Sequence, residues 1–314
     1  MNQPAKIAEI DQKMSHDIPN IRLVQIIMAA LLVWNAPCWA ASYGVARIVT
    51  PVLNSPAFSD ILGGQDGRSL KTDRCGQVRQ LEFIALPGTV FRLLDKVPGS
   101  ATTVYRVETD DYPAPDGILL YVDSRFIELR DERPPARIKT LPTFDRIIAA
   151  LKGAIGRPYV WGGNVPEGVN ALIGTLYPAG APLDDRAKRR ITLAGVDCSG
   201  LLYQATGGWT PRNTSHLVSY GTGVTVEGRD AQKIAESLKP LDLVVWGGHV
   251  VIVLDRNTAI ESRLRCDRPD QGGVVTTPLQ QRLTEIMRTR RPVDAWPAKG
   301  KHGGIFVVRR WFGL

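Results

Sequence analysis

The sequence predicts an α+β fold in which a small β-barrel precedes a domain of helices packed on an antiparallel sheet. Short β-rich runs separated by turn signals fill residues 43–130, as is typical of a small all-β unit. Further along, a helical pattern is followed by two buried-type strands, 240–246 and 248–255, that are joined by glycines. The length of 314 residues agrees with about two domains.

The amino terminus predicts an export signal. An apolar stretch over 23–34 follows Arg22 and precedes Pro37 and small residues, which is the pattern of a secretory signal peptide with cleavage after Ala40 or Ala41. Twelve residues are too few to span a bilayer core of about 30 Å, although an uncleaved anchor is the alternative. We therefore predict a signal peptide over 1–41, no stable membrane span after its removal, and a periplasmic or extracellular location.

The charge of the chain favours an anionic partner. Lys and Arg number 39 against 31 Asp and Glu, a net charge of +8, and residues 1–40 contain as many basic as acidic residues, so export leaves the net charge unchanged. Aromatic residues make up only 7% and no dense basic run occurs, which disfavours nucleic acid. An acidic polymer of the bacterial envelope is the better partner, and a monomer is expected.

The mature chain divides at a proline-rich segment. Five short strand patterns over 42–130 predict the barrel, and residues 131–142, which include Arg133, Pro134 and Pro135, predict a linker. A helix is expected from 143 to 152. The second domain then occupies 143–314.

A single cysteine lies where a helix should begin. Asp197 is a candidate helix cap and Cys198 follows it in the first helical turn. Backbone amides and the helix dipole stabilise a thiolate at that position, which makes the sulfur nucleophilic. Taken alone, Cys198 could equally be a buried, inert thiol.

One histidine completes a possible catalytic group. His249 opens the second strand of a predicted hairpin, and a short turn at 255–257 would bring 251 opposite 261 on the next strand. Period-two alternation then places His249 and Glu261 on one face, where the carboxylate could hold the imidazole. Cys198, His249 and Glu261 would thus be nucleophile, base and orienting group. The spacing of Cys and His residues predicts no metal site, and no cofactor is expected.

At these residues the chain resembles the NlpC/P60 cysteine peptidases, a papain-like superfamily. The motifs that carry the resemblance are, in order, Gly156-Arg157-Pro158-Tyr159-Val160-Trp161-Gly162-Gly163-Asn164, Val196-Asp197-Cys198-Ser199-Gly200-Leu201, Pro211-Arg212-Asn213-Thr214-Ser215, Leu241-Asp242-Leu243-Val244 and Gly248-His249-Val250. The preceding strands resemble the bacterial SH3-like modules that often accompany this catalytic domain. The resemblance therefore implies an SH3-like barrel followed by a papain-like NlpC/P60 domain.

The resemblance also implies an activity. Cys198 would attack, His249 would act as general base and later as acid, and Glu261 would be the third polar residue. The substrates implied are peptidoglycan stem peptides or muropeptides, cut between D-glutamate and diaminopimelate through a thioester on Cys198.

Three further residues take their roles from the resemblance alone. It implies that Tyr159 lies near the nucleophile and that Asp197 and Ser199 help to recognise the amino end of the substrate. Two other functions stay open: an acyltransferase or amidase on the same fold, and a non-catalytic wall-binding protein.

Two features depart from the family pattern. The third catalytic position is more often His, Asn or Gln, and a Glu261 carboxylate would make the His249 imidazolium more stable. The segment 165–194 is longer than usual and carries a charged run at 184–190; we expect it to form a lid or a wall of the substrate site. Of the three cysteines left after export, Cys75 and Cys266 could pair, and an odd number leaves at least one unpaired within the chain.

Overall fold

The computed structural model describes residues 41–63, 69–98, 102–176, 183–268, 272–298 and 303–313. The predicted signal peptide lies outside these ranges except for Ala41. Residues from Ala41 onward form one compact unit. Within the described ranges, no helix has the length and apolar character needed to cross a membrane.

The first part of the chain is an antiparallel sheet. Seven strands build it among the described residues: β1 (Tyr43–Ala46), β2 (Thr50–Leu53), β3 (Leu81–Ala85), β4 (Val90–Val97), β5 (Val104–Glu108), β6 (Leu120–Asp123) and β7 (Ile127–Arg130). They pair in the order β3-β2-β6-β5-β4-β1-β7. A short helix, α1 (Phe58–Leu62), follows β2, and a 3₁₀ turn (Ser124–Phe126) separates β6 from β7.

This sheet differs from the predicted barrel. Its pairing order begins at β3 and ends at β7, so the described strands form no closed barrel. Four of the five predicted strands overlap β3, β4, β5 and β6, the fifth, at 46–49, shares only Ala46 with β1, and β2 and β7 were not predicted. Strand β2 contains Pro51, which pairs with Ile84, and proline within a run argues against a strand because it cannot donate a ladder hydrogen bond.

The second part of the chain combines helices with another antiparallel sheet. Its helices are α2 (Phe144–Gly153), α3 (Ala171–Leu176), α4 (Asp185–Ile191), α5 (Cys198–Ala205), α6 (Thr214–Leu217), α7 (Ala231–Ser237) and α8 (Leu279–Met287). Its strands are β8 (Asn164–Val165), β9 (Gly195–Val196), β10 (Thr222–Gly223), β11 (Leu243–Trp246), β12 (His249–Val253), β13 (Thr258–Arg263), β14 (Gly273–Pro278), β15 (Arg291–Pro292) and β16 (Ile305–Arg310). The main sheet has the order β10-β16-β11-β12-β13-β14, with β15 parallel to β16, while β8 and β9 pair separately.

Helices cover both faces of the main sheet. Ile147 of α2 and Leu201 of α5 belong to the core on one face, whereas Ile234 of α7 and Leu283 of α8 belong to the core on the other. Strands buried on both faces read as continuous apolar runs instead of alternating ones, which explains the sequence of β11 and β12. The observed α2 agrees to within one residue with the helix predicted over 143–152.

The described residues of the long segment 165–194 contribute to the core of the molecule. Leu172 of α3, Ile191 of α4 and Leu193 pack with Phe58 and Leu81 from the N-terminal sheet region. Arg125 also donates a hydrogen bond of 2.7 Å to Thr175 O. The described part of this segment therefore joins the N-terminal sheet to the rest of the chain.

A disulfide makes a second connection between the two parts. Cys75, before β3, is bonded to Cys266, after β13, at a sequence separation of 191. This pairing answers the question that the sequence left open. Cys198 is the free cysteine of the described residues.

Candidate active site

Cys198 is the first residue of α5. Asp197 caps the helix by accepting a hydrogen bond of 2.6 Å from Gly200 N, as the sequence predicted. A Cβ at position 200 would lie 2.0 Å from Gly163 O, so only glycine allows this close approach of the helix. The sulfur is buried, 6% of the residue being exposed, and the thiol lies 3.9 Å from Gly248 O.

His249 and Glu261 meet as the strand register predicts. Ile252 pairs with Ile260 and Val253 with Ala259, the register that places 251 opposite 261. The imidazole Nε2 lies 2.7 Å from Glu261 Oε2. Because Nε2 is taken by the carboxylate, Nδ1 is the nitrogen left to exchange a proton with Cys198.

The surroundings of His249 favour its charged form. Burial disfavours the imidazolium, but the interactions with Cys198 and then with Glu261 outweigh it and raise the pKa of His249 to about 9. The Trp246 ring lies beside the imidazole, with ring centroids 5.0 Å apart. His249 is therefore protonated at neutral pH, as a thiolate–imidazolium pair requires.

Glu261 is a buried carboxylate with strong donors on both oxygens. Burial acts to raise its pKa, but hydrogen bonds from His249, Arg263 and Arg282 hold the pKa well below its usual range. Only 1% of Glu261 is exposed. The side chain is thus a fixed anion beside the imidazole.

The three predicted substrate-binding residues lie around the start of α5. Asp197 and Ser199 are buried, and Tyr159 is half-buried. Burial, followed by the electrostatic effects of Asp197 and Cys198, raises the pKa of the Tyr159 hydroxyl, so the phenol stays neutral near the nucleophile. Their role in recognising a substrate stays a prediction.

Arg212 is a site residue that sequence reasoning did not single out. It is 3% exposed and donates to both carboxylate oxygens of Asp197, at 3.0 and 2.7 Å, and to Ser199 Oγ at 2.9 Å. It also donates to Gly163 O at 3.2 Å. Its presence in the motif Pro211-Arg212-Asn213 was the one signal that could have identified it.

The N-terminal part of the chain contributes to the rim of this site. Gln77 Oε1 accepts a hydrogen bond of 2.8 Å from Trp161 N, and Gln77 Nε2 donates to Tyr159 O at 3.5 Å. The Arg79 guanidinium lies 4.3 Å from the centroid of the Trp161 ring. No local pattern in the sequence predicts these contacts, because they join residues more than 80 positions apart.

The described residues place no group of three or more His, Cys, Asp or Glu where it could hold a metal ion.

Comparison with known proteins gives three solved structures to which the chain is similar. No family model and no curated protein matches it. An NlpC/P60 family protein from Bacillus cereus matches at 17% identity and a TM-score of 0.30, over 87% of this chain and 64% of that one. The P60 domain of an antigen from M. avium subspecies paratuberculosis matches at 18% identity and a TM-score of 0.29, over 52% of this chain and 92% of that one.

The third is NlpC2 from Trichomonas vaginalis, at 12% identity and a TM-score of 0.28, over 86% of this chain and 72% of that one. The present chain spans 64% of the length of the Bacillus cereus protein, which is less than two thirds. These three structures are named as an NlpC/P60 family protein, a P60 domain and an NlpC2 protein.

Proposed function

We propose that the protein is an exported cysteine peptidase that cleaves peptidoglycan stem peptides between D-glutamate and diaminopimelate. One observation carries this proposal: Cys198 begins a helix beside His249, whose Nε2 lies 2.7 Å from the buried Glu261 carboxylate. Nucleophile, base and orienting group are the parts that acyl transfer through a thioester requires. The similarity of the motifs to NlpC/P60 peptidases supports the choice of substrate.

The first half of the reaction forms the thioester. The Cys198 sulfur attacks the carbonyl carbon of the scissile amide, and the backbone amides at the start of α5 stabilise the developing oxyanion. The His249 imidazolium then gives its proton to the leaving amine as the C–N bond breaks. The N-terminal fragment stays on Cys198 as an acyl group.

The second half returns the enzyme to its starting state. His249, now neutral, accepts a proton from a water molecule that attacks the thioester carbonyl. The C–S bond breaks, the N-terminal fragment leaves as a carboxylic acid, and the sulfur is again a thiolate beside an imidazolium. Glu261 keeps the imidazole oriented in both halves.

Recognition of the substrate's amino end would fall to the residues around the start of α5. Asp197 and Ser199 flank the nucleophile in sequence. Tyr159 lies near them, since burial and then Asp197 and Cys198 raise the pKa of its hydroxyl. Arg212 already pairs with the Asp197 carboxylate and bonds Ser199 Oγ, so these oxygens and the neutral Tyr159 phenol would bind a protonated amine as hydrogen-bond acceptors. This arrangement supports a stem peptide whose amino end is free.

The N-terminal sheet would serve as an SH3-like module that binds the wall, and the net charge of +8 supports attraction to acidic wall polymers over nucleic acid. Export through the signal peptide would deliver the protein, as a monomer, to the periplasm or the outside of the cell.

Digestion of a defined muropeptide tests the activity. L-Ala-γ-D-Glu-diaminopimelate is incubated with the wild-type chain, with Cys198→Ala, and with Gln232→Ala, an exposed α7 side chain bonded only to Glu236 in the described structure. The wild type and Gln232→Ala should release the dipeptide Ala-Glu, and Cys198→Ala should release none. If the wild type releases nothing, the hydrolase is the wrong function; if the acyl group reaches an added amine instead of water, the acyltransferase is the right one.

A further inference from the structure

The carboxylate of Glu261 is shared between the imidazole and two arginines. Arg282 of α8 donates through Nε to Oε1 at 2.6 Å and through Nη2 to Oε2 at 2.9 Å. Arg263 of β13 donates through Nη2 to Oε1 at 2.7 Å. His249 Nε2 takes the remaining direction on Oε2, at 2.7 Å. Glu261 therefore has three hydrogen bonds from guanidinium groups and one from the imidazole.

This arrangement changes what Glu261 can do to His249. Charge-assisted bonds from guanidinium to carboxylate are about twice as strong as neutral ones. Two guanidinium groups bond the single carboxylate of Glu261, a residue that is 1% exposed. The positive charges of Arg263 and Arg282 offset the stabilisation that a lone carboxylate would give to the imidazolium. A general acid that is stabilised too strongly donates its proton poorly to a leaving amine.

Arg282 also has a fixed geometry of its own. Its planar guanidinium binds the carboxylate with two parallel bonds, which lysine cannot reproduce. Arg282 Nη1 also donates to Glu285 Oε2 at 3.2 Å. Glu285, which lies on α8 with Arg282, therefore helps to orient the guanidinium. Arg263 Nη2 donates to Thr277 Oγ1 at 2.8 Å.

Resting on the proposed function, we propose that Arg282 and Arg263 are positioning residues of the active site. They direct Glu261 Oε2 to His249 and offset part of the negative charge that Glu261 presents to the imidazole. A neutral acceptor at this position would leave the imidazolium more acidic than a lone glutamate would. The two arginines offset the negative charge of Glu261, which explains how a glutamate serves there. The arginines touch neither the sulfur nor the reacting carbonyl, so they act through Glu261.

Charged and titratable groups reach this cluster from several elements, and any pH effect includes them all. In the described structure they are Cys198 of α5, Tyr159 through its interaction with Cys198, Glu261 and Arg263 of β13, Arg282 and Glu285 of α8, and Arg290, whose guanidinium lies 4.7 Å from the Trp246 ring beside His249.

The test is a titration of the His249 imidazole by nuclear magnetic resonance in the full chain, with the resonance assigned through a His249→Asn variant. Removing the positive charge in Arg282→Gln should raise the midpoint by roughly half a unit to one unit, the latter a tenfold change in proton affinity. Arg288→Gln removes an exposed arginine directly after the last residue of α8 and should leave the midpoint in place. Arg282→Lys keeps the charge but not the two parallel bonds. Its His249 midpoint should lie between those of the wild type and Arg282→Gln.

A second variant pair keeps the proposal testable if Arg282→Gln folds poorly. Glu261→Gln leaves both guanidinium charges uncompensated and should lower the His249 midpoint, and adding Arg282→Gln to it should bring the midpoint back up. A midpoint that falls or stays fixed in Arg282→Gln, or a double variant whose midpoint stays as low as that of Glu261→Gln, would overturn the proposal. These readouts need no peptide substrate, so they remain interpretable even if no muropeptide is cleaved.

Discussion

Arg212 and Asp197 form a buried ion pair immediately before the nucleophile, with two parallel hydrogen bonds of 2.7 and 3.0 Å. The same arginine donates at 3.3 Å to Asn164 Oδ1. Asn164 in turn bonds the backbone of Ile84 in β3, as acceptor at 3.0 Å and as donor at 2.8 Å. The start of α5 is therefore linked through buried polar groups to the N-terminal sheet.

Loss of Arg212 should destabilise the whole fold. Arg212→Met leaves the Asp197 carboxylate buried without its partner, which costs about 3–5 kcal/mol in such pairs. Urea unfolding measures the change, with Arg288→Gln as the exposed-arginine control. The double variant Asp197→Asn with Arg212→Met should recover part of the loss, because no charge is then left unpaired. A cost no greater than that of the control would contradict this account.

The pKa of His249 predicts a stability that declines in alkaline solution. Burial opposes the charged ring, but Cys198 and Glu261 raise its pKa to about 9, above the value of about 6.5 in an unfolded chain. The folded state then binds the proton more tightly, so the stabilisation is complete below about pH 6.5 and is lost as the pH rises through about 9. Unfolding free energies of the wild type should fall over this interval relative to His249→Asn. Parallel curves for the two proteins would refute the predicted shift.

The disulfide should stabilise the chain substantially. It joins residues that are 191 positions apart, and removing a native disulfide typically costs about 2–5 kcal/mol because the unfolded chain gains freedom. A Cys75→Ala, Cys266→Ala variant should therefore unfold at lower urea concentration than the wild type, and a reducing agent should shift only the wild type. Equal midpoints in oxidising buffer would show that the bond contributes nothing.

The long segment should prove to be part of the core. Leu172 is fully buried among residues of the N-terminal sheet region, so Leu172→Ala should cost about 2–5 kcal/mol. Leu119→Ala is the matched control, since 48% of Leu119 is exposed. If both variants unfold at the same urea concentration, the segment is peripheral, as a lid alone would be.

The local parts of the active site could be predicted from the sequence. Asp197 before Cys198 is a helix-capping pattern, and the short turn between β12 and β13 fixes the register that brings His249 to Glu261. Both depend on neighbours within about a dozen residues. Physical rules of capping and strand pairing were sufficient for them.

The long-range parts could not be predicted in this way. Gln77 contacts Tyr159 and Trp161 from 82 and 84 positions earlier in the chain, and Arg282 contacts Glu261 from a helix position 21 residues later. Such contacts depend on how whole elements pack. Strand β2 likewise could not be predicted, because Pro51 disfavours a strand locally. The strand forms because β2 pairs with β3 on one side and β6 on the other.

The central claim is that Cys198 carries the acyl group, and intact-protein mass spectrometry after acid quenching tests it most directly. Wild-type chain mixed briefly with L-Ala-γ-D-Glu-diaminopimelate should gain the mass of Ala-Glu less one water, mapped by peptide digestion to Cys198. The adduct should decay as the free dipeptide appears, and Cys198→Ala should gain no mass. Release of the dipeptide by Cys198→Ala at the wild-type rate would contradict the account.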